Sequence, residues 1–276
     1  MENVEGLREE DEIEESINDK DFGTIVHETL QDIYDKVLGR EISSEDLDRV
    51  IKDKPFIQRI IVDKFKSVMN VTDIKGYLHL VEDIILNYVI YVLEHDKKIT
   101  PFTYIASEKK DNFVYEVNSV EDKDPFKVNI VAIYDRLDRL SDGTERIVDY
   151  KTGKTKLGQT SKLDVPEINQ IFSESAKCSN EAFQVMLYCL LYDKENLSPN
   201  LYFIRDFMFD SETETTLKYL PGGNIPINNF SRYKDDFKRA FDKLLVEIFD
   251  ENVDFEQSRD ESSCRMCNLK NICKRN

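Results

Sequence analysis

The stretch RIVDYKTGKTK, residues 146–156, sets Asp149 and Lys151 two residues apart just after the β-branched pair Ile147 and Val148. In an extended chain, residues at i and i+2 share a face. Holding a carboxylate and an ammonium group together at a strand end costs desolvation free energy, which a chemical task would explain. The acid can bind a hard divalent cation. The lysine can orient or deprotonate a water, or stabilise charge that develops on a phosphoryl oxygen. A surface Asp–Lys pair on an edge strand is the alternative reading of these residues alone.

Other residues could complete such a site. Asp135 closes the apolar run of AIYDRLDRL and would lie on the neighbouring strand of a hairpin. Two carboxylates from adjacent strand ends can share Mg²⁺, which binds through a few carboxylate oxygens and keeps several waters. His27 sits off the apolar stripe of the first helix, beside Tyr34; alone, a histidine there reads as a packed or surface residue. Gln184 and Tyr188 are four apart on a late helix and so share a face. His79 and His95 have no supporting context and read as structural.

The elements that would position these residues follow from periodicity. Residues 24–39 read as a helix with Val26, Leu30, Ile33 and Val37 on one stripe and Gly39 as its stop. Further helices are expected at 44–53, 55–69 and 76–95. The texture then changes to PFTYIASEKK, NFVYEVNSV, FKVNIVAIYDRLDRL and RIVDYKT, read as four strands of an antiparallel meander with KKDN and SDGT as turns. Residues 154–180 are polar and read as a loop with part of a helix. EAFQVMLYCLLYDKE is an apolar helix, NLYFIRDFMF a strand, and 227–250 a long amphipathic helix. This order predicts an α/β fold with a central sheet flanked by helices. The expected organisation is an acidic lead-in at 1–22 and one domain at 23–276, with a helical insertion at 40–97 and a cysteine tail at 260–276.

Composition bounds the function. At 276 residues with 40% hydrophobic and 34% charged residues, the chain is a globular protein able to bury a core. No apolar run approaches the roughly 18 residues of a membrane span. The acidic N-terminus is unlike a signal peptide, so a cytoplasmic location and no membrane partner are expected. A net charge of −17 argues against nonspecific coating of nucleic acid. Any positive groove must be local, and Lys151, Lys154, Lys156 and Lys162 are the candidates.

Taken in order, GTIVH, YDRLD, IVDYKTGK and QVMLY resemble the RecB-like branch of the PD-(D/E)XK nuclease superfamily. That branch includes the nuclease domains of bacterial double-strand-break helicase–nucleases and the exonucleases of CRISPR adaptation. The resemblance runs from about Gly23 to the C-terminus. It implies a restriction-endonuclease-like core with a central mixed β-sheet. It also implies a metal site for Mg²⁺ or Mn²⁺ held by His27, Asp135, Asp149 and the backbone carbonyl of Tyr150. Lys151 falls on the catalytic lysine, and Gln184 and Tyr188 on the Q-x-x-x-Y pair. Ala132 stands where the family usually has glycine, a small change that leaves the ligands intact.

The five cysteines are at 178, 189, 264, 267 and 273, an odd number that speaks against a disulfide framework. Cys264, Cys267 and Cys273 have the spacing of metal or cluster thiolates. In many RecB-like nucleases this tail gives three ligands of a [4Fe–4S] cluster, and the fourth cysteine precedes the histidine-bearing helix. No cysteine precedes His27 here. The reading favoured is a chain that starts just after that cysteine; substitution by Cys178 or Cys189, and loss of the cluster, are the alternatives. Lys270, Lys274 and Arg275 beside them could touch a phosphate backbone or form a solvated tail.

The resemblance leads to an expected function: a metal-dependent DNA nuclease, of exonuclease type, within a larger recombination or repair protein that has a helicase domain or subunit for partner. The alternative is a catalytically weak structural or DNA-guiding module. RNA is a further candidate substrate.

Overall fold

The computed structural model describes residues 17–36, 40–117, 125–153, 162–172, 180–209, 213–254, 264, 267 and 270–274. The first helix, α1 (Asp19–Asp35), starts earlier than periodicity predicts because the Asn18 side chain accepts a hydrogen bond from the Asp21 N–H at 2.8 Å. That cap satisfies one of the donors left open at a helix start. Ile25, Val26, Leu30 and Ile33 are buried along it. Val37 and Gly39, expected at its end, lie outside the described residues.

The expected helical segment follows, preceded by a two-residue strand β1 (Glu41–Ile42) that pairs with the edge of the sheet. Helix α2 (Ser44–Lys52) opens with a reciprocal capping box between Ser43 and Asp46. Helix α3 (Lys54–Val68) opens with Asp53 as cap and a proline in its first turn, where a missing N–H costs nothing. The long α4 (Leu78–Lys97) buries Val81, Ile85, Val89 and Val92 as its periodicity predicts. It also buries Glu82, His95 and Asp96.

The sheet has the order β1-β2-β3-β4-β6, built from β2 (Phe102–Val117), β3 (Phe126–Leu140), β4 (Glu145–Lys151) and β6 (Leu197–Phe203). β4 and β6 run parallel and the other neighbours antiparallel, so the sheet is mixed. The expected meander of four strands is corrected to three. KKDN is strand and not turn, since β3 is long enough to pair with β2 from Phe102↔Leu140 to Val117↔Phe126. The irregularity of this strand lies before that polar stretch. The register shifts between Tyr104 and Ala106, and Glu108 takes a left-handed φ of 43°. Alternation would put residues 134 and 136 on one face. Instead Tyr134 packs on Tyr188 of the late helix, while Arg136 lies over the Tyr34 and Phe102 rings on the opposite face. Asp135 sits at the crossover.

Three other expectations change. NLYFIRDFMF is strand only to Phe203 and then turns into α7 (Ile204–Phe207). The loop region contains the short β5 (Asp164–Val165) and α5 (Ile168–Ile171), with β5 in a small sheet with β7 (Lys218–Tyr219) and β8 (Ile225–Pro226). The last long helix splits into a 3₁₀ turn at Phe230–Arg232 and α8 (Lys234–Phe249), with Asn229 capping the turn.

Each face of the main sheet carries its own core. α1 to α4 pack with Phe102, Tyr104, Val148, Tyr150 and Tyr202 on one side. α6 (Asn180–Tyr192) and α8 pack with Leu137, Ile147, Leu201 and Phe203 on the other. The segment at 40–97 thus supplies one layer of the fold. Ala132 is buried in the second core and pairs with Asp111 across the hairpin, so the methyl group is accommodated.

Phe237 of α8 is fully buried among the rings of Phe172, Phe183 and Phe230. Phe237→Ala is expected to cost about 3–5 kcal/mol, the usual range for emptying a core aromatic site. Urea unfolding followed by circular dichroism checks it, and a loss below about 1 kcal/mol would contradict this packing.

Candidate metal and phosphoryl-transfer site

Four elements meet where β4 ends beside the interior of the long β2–β3 hairpin. His27 reaches in from α1, Glu108 from β2, Asp135 from β3, and Asp149 with Lys151 from β4. They adjoin a cavity of about 720 Å³ lined by His27, Glu108, Asp135, Tyr150, Lys151 and Thr152, among others. α1 passes close to the β4 end because residue 23 is glycine; a Cβ there would stand 3.3 Å from the Thr152 hydroxyl.

His27 Nδ1 lies 3.6 Å from Asp135 Oδ2 and 3.7 Å from Glu108 Oε1. One ligand atom from each of the three residues falls within 4.8 Å of the others. Ligands on a small octahedral ion with bonds of about 2.1 Å stand about 3.0 Å apart when adjacent and about 4.2 Å when opposite. The two His27 distances fall in that interval. The His27 ring is braced edge-on against Tyr150, with centroids 5.6 Å apart.

Asp149 stands beside this group, 2% exposed, with Oδ2 turned to Lys151 Nζ at 2.7 Å. Lys151 Nζ also donates to Gln184 Oε1 at 3.2 Å, and Gln184 Nε2 donates to the Tyr188 hydroxyl at 2.7 Å. The i, i+4 pair on α6 is therefore a bracket for the lysine amine. The Tyr150 N–H donates to Asp135 Oδ2 at 2.7 Å and ties the end of β4 to the interior of β3, so Asp135 does not stand at a strand end as expected.

The electrostatics suit a cation. Burial and the Asp135 charge push Asp149 up to about 7, against the pull of Lys151. Burial likewise raises Asp135, although His27 and the Tyr150 N–H oppose it. Burial alone would lower His27, but the charges of Asp135 and Glu108 raise it above its ordinary value. Three carboxylates share one lysine and one imidazole. Raised pKa values on buried acids are what a missing positive charge produces. Oxygen and imidazole donors in this set fit Mg²⁺ or Mn²⁺.

Sequence reasoning named His27, Asp135, Asp149, Lys151, Gln184 and Tyr188, and the structure brings these side chains to one place. It missed Glu108, which enters the tight group with His27 and Asp135, while Asp149 is turned to the lysine. The signal was an acid lying between the residue pairs Ser107↔Arg136 and Lys109↔Tyr134, across the hairpin from Asp135. Reading KKDN as a turn ended the first strand just after Glu108 and concealed the pairing that sets it opposite Asp135. Of the lysines proposed for a local groove, Lys162 is engaged with Glu181 at 3.0 Å and lies over Phe203, so it belongs to the α6 packing. Lys154 and Lys156 lie outside the described residues.

In the tail, the Cys267 N–H donates to the Cys264 carbonyl at 3.2 Å, the turn that a C-x₂-C spacing permits. Among the described residues the three tail cysteines do not form a compact ligand group. Cys189 is buried in α6, where burial pushes its thiol up, and Cys178 lies outside the described residues. His95 is packed, stacked on Phe207 with centroids 4.3 Å apart; His79 is at the surface, 3.3 Å from Glu82. No helix among the described residues is long and apolar enough to cross a membrane.

Two comparisons bear on this geometry. One component of the ATP-dependent helicase/deoxyribonuclease of Clostridium tetani (strain Massachusetts / E88) is 30% identical over 149 residues, which are 50% of this chain and 13% of that protein. The matched region is thus a small part of that relative's length. A family model described as the PD-(D/E)XK nuclease superfamily matches residues 1–274. With nearly the whole chain matched and a mixed sheet delivering its acids and lysine to one place, the chain belongs to the PD-(D/E)XK nuclease superfamily.

Proposed function

We propose that this chain is a divalent-metal-dependent nuclease domain that hydrolyses DNA phosphodiester bonds, as an exonuclease, within a larger recombination or repair protein that has a helicase domain or subunit. The observation that carries the reading is the Lys151 amine, held between Asp149 and Gln184 at the edge of a cavity lined by His27, Glu108 and Asp135. The family match and the helicase/deoxyribonuclease relative support it.

His27, Glu108, Asp135 and Asp149, with the Tyr150 carbonyl, would hold Mg²⁺ or Mn²⁺. Such an ion supplies Lewis-acid polarisation of the scissile phosphate and makes a nearby water more acidic. Lys151 is fixed by Gln184 and Asp149 so that its amine points at a set position, where it orients the attacking water and stabilises charge on a phosphate oxygen. Tyr188 holds Gln184 in the orientation that presents Oε1 to the lysine. The Tyr150 N–H keeps Asp135 from rotating away. No side chain serves as nucleophile in this scheme.

Labelled DNA incubated with Mg²⁺ or Mn²⁺ tests the activity. Lys151→Ala is expected to lower kcat about 10²–10³-fold, the usual effect of removing one group that stabilises developing charge. Linear DNA should be degraded and a covalently closed circle spared. Undiminished cutting by Lys151→Ala would overturn the site assignment.

Calorimetric titration with Mn²⁺ tests the ligands. Glu108→Gln should weaken binding at least about 10-fold. Affinity should also fall as pH drops from about 8 through about 7, because a proton then competes for Asp149 and must be released on binding. Affinity independent of pH across that window would contradict the assignment of Asp149.

Cys264, Cys267 and Cys273 would supply three thiolates of a [4Fe–4S] cluster that staples the tail, the fourth ligand coming from elsewhere. Anaerobically purified parent protein should show visible iron–sulfur absorbance that Cys264→Ser abolishes. A colourless, iron-free protein would defeat the cluster.

A further inference from the structure

Behind the site lies a buried charged network that none of the chemistry above uses. Asp96, on the last turn of α4, and Arg136, on β3, are 0% and 1% exposed. Arg136 donates to Asp96 Oδ2 at 2.5 Å through one nitrogen, and to Asp138 Oδ2 at 2.8 Å through Nε. The nitrogen that meets Asp96 also reaches the Tyr150 hydroxyl at 3.2 Å. Asp96 further accepts from the Tyr34 hydroxyl through Oδ2 and from the Tyr202 hydroxyl through Oδ1, the latter at 2.9 Å. Arg146 closes the network with two bonds to Asp138, at 2.8 and 2.7 Å.

The connectivity matters more than the number of bonds. Arg136 is the chain neighbour of Asp135. Tyr150 lies between Asp149 and Lys151, braces His27 with its ring, and donates its N–H to Asp135. Tyr34 is two turns along α1 from His27, on the same face. One buried carboxylate on α4 thus reaches the elements that carry His27, Asp135, Asp149 and Lys151. Since the network is buried and charged, its geometry is strongly favoured over any alternative in which a partner is left alone.

We propose that Asp96 acts through Arg136 as a positioning residue for the site beside the end of β4, so that the helical layer sets the geometry in which metal and phosphate are met. What is positioned is the chemistry of the proposed nuclease, on which the functional part of this inference rests. The positioning itself has a readout without metal or DNA. The Tyr150 N–H donates to the Asp135 side chain, so its hydrogen exchange reports whether that contact holds.

In metal-free Asp96→Asn protein, the Tyr150 amide should exchange at least about 10-fold faster, while the Ile147 amide in the same strand changes less than about 3-fold. Mn²⁺ affinity should drop about 10–100-fold, the range seen when groups behind the ligands are altered. On DNA, kcat should fall by a comparable factor with KM nearly unchanged, since substrate binding surface is untouched. Wild-type protection of Tyr150, or equal loosening of Ile147 and Tyr150, would overturn the proposal. If Asp96→Asn does not fold, Tyr150→Phe removes a single oxygen from the network. Its residue-150 amide should show the same selective rise, and wild-type protection there would overturn the proposal. Should the wild-type protein neither bind Mn²⁺ nor cut DNA, the nuclease reading fails, and the exchange pattern still decides the positioning.

Discussion

An arginine with no access to water must find its counter-charges inside the protein, and Arg136 finds them on two elements. Asp96 comes from the helical layer and Asp138 from its own strand; Arg146 balances the second acid, so two positive and two negative groups are buried together. Although burial alone would raise it, the Arg136 charge holds Asp96 below the ordinary carboxylate range. Removing one member of such a set costs about 3–5 kcal/mol by leaving a charge unpaired. That is a large share of the roughly 5–15 kcal/mol that holds a domain folded. The end of β4 and the adjoining part of β3 therefore have little freedom to move relative to α1 and α4. A metal site that would take its ligands from positions 27, 108, 135 and 149 needs that rigidity, because no local segment holds them together.

The site is built in the opposite electrostatic sense from the network beneath it. Below, opposite charges cancel; above, Glu108, Asp135 and Asp149 outnumber Lys151 and His27, and burial raises the pKa values of Asp135 and Asp149. The excess is local, and a bound divalent ion would remove it. The net charge of −17 does not conflict with the proposed polyanionic substrate, since part of it belongs to residues that would hold a cation. The irregular backbone of β2 belongs to the same design. Glu108 in a left-handed conformation, next to a register shift, faces Asp135 at the point where β3 exchanges which residues look toward which layer. Strain of this kind persists where surrounding structure enforces it, and it commonly marks sites that must aim a side chain.

Much of this was legible in the chain because it depends on short-range rules. Two-residue spacing places Asp149 and Lys151 on one face, and four-residue spacing pairs Gln184 with Tyr188; both hold in three dimensions. The helices of the 40–97 segment follow from periodicity and capping residues such as Ser43 and Asp53. What escaped depends on long-range pairing. KKDN has the composition of a turn, and only the length of β3 makes it strand. Glu108 is unremarkable among 55 acidic residues until the hairpin sets it near Asp135. Asp96 and Arg136 look like surface charges by type, and their burial follows from the packing of α4 on the sheet, which periodicity does not specify. In YDRLDRL the sequence pattern drew attention to the acid, while the arginine beside it does the holding.

The most direct measurement is a crystal structure of the wild-type protein grown with Mn²⁺, with an anomalous difference map to locate the ion. An anomalous peak within bonding distance of His27, Glu108 and Asp135, with the Lys151 amine still bracketed by Asp149 and Gln184, is the predicted result. Manganese bound elsewhere, or these side chains pointing apart with the end of β4 and the adjoining part of β3 displaced from Tyr34 and Asp96, would contradict the account.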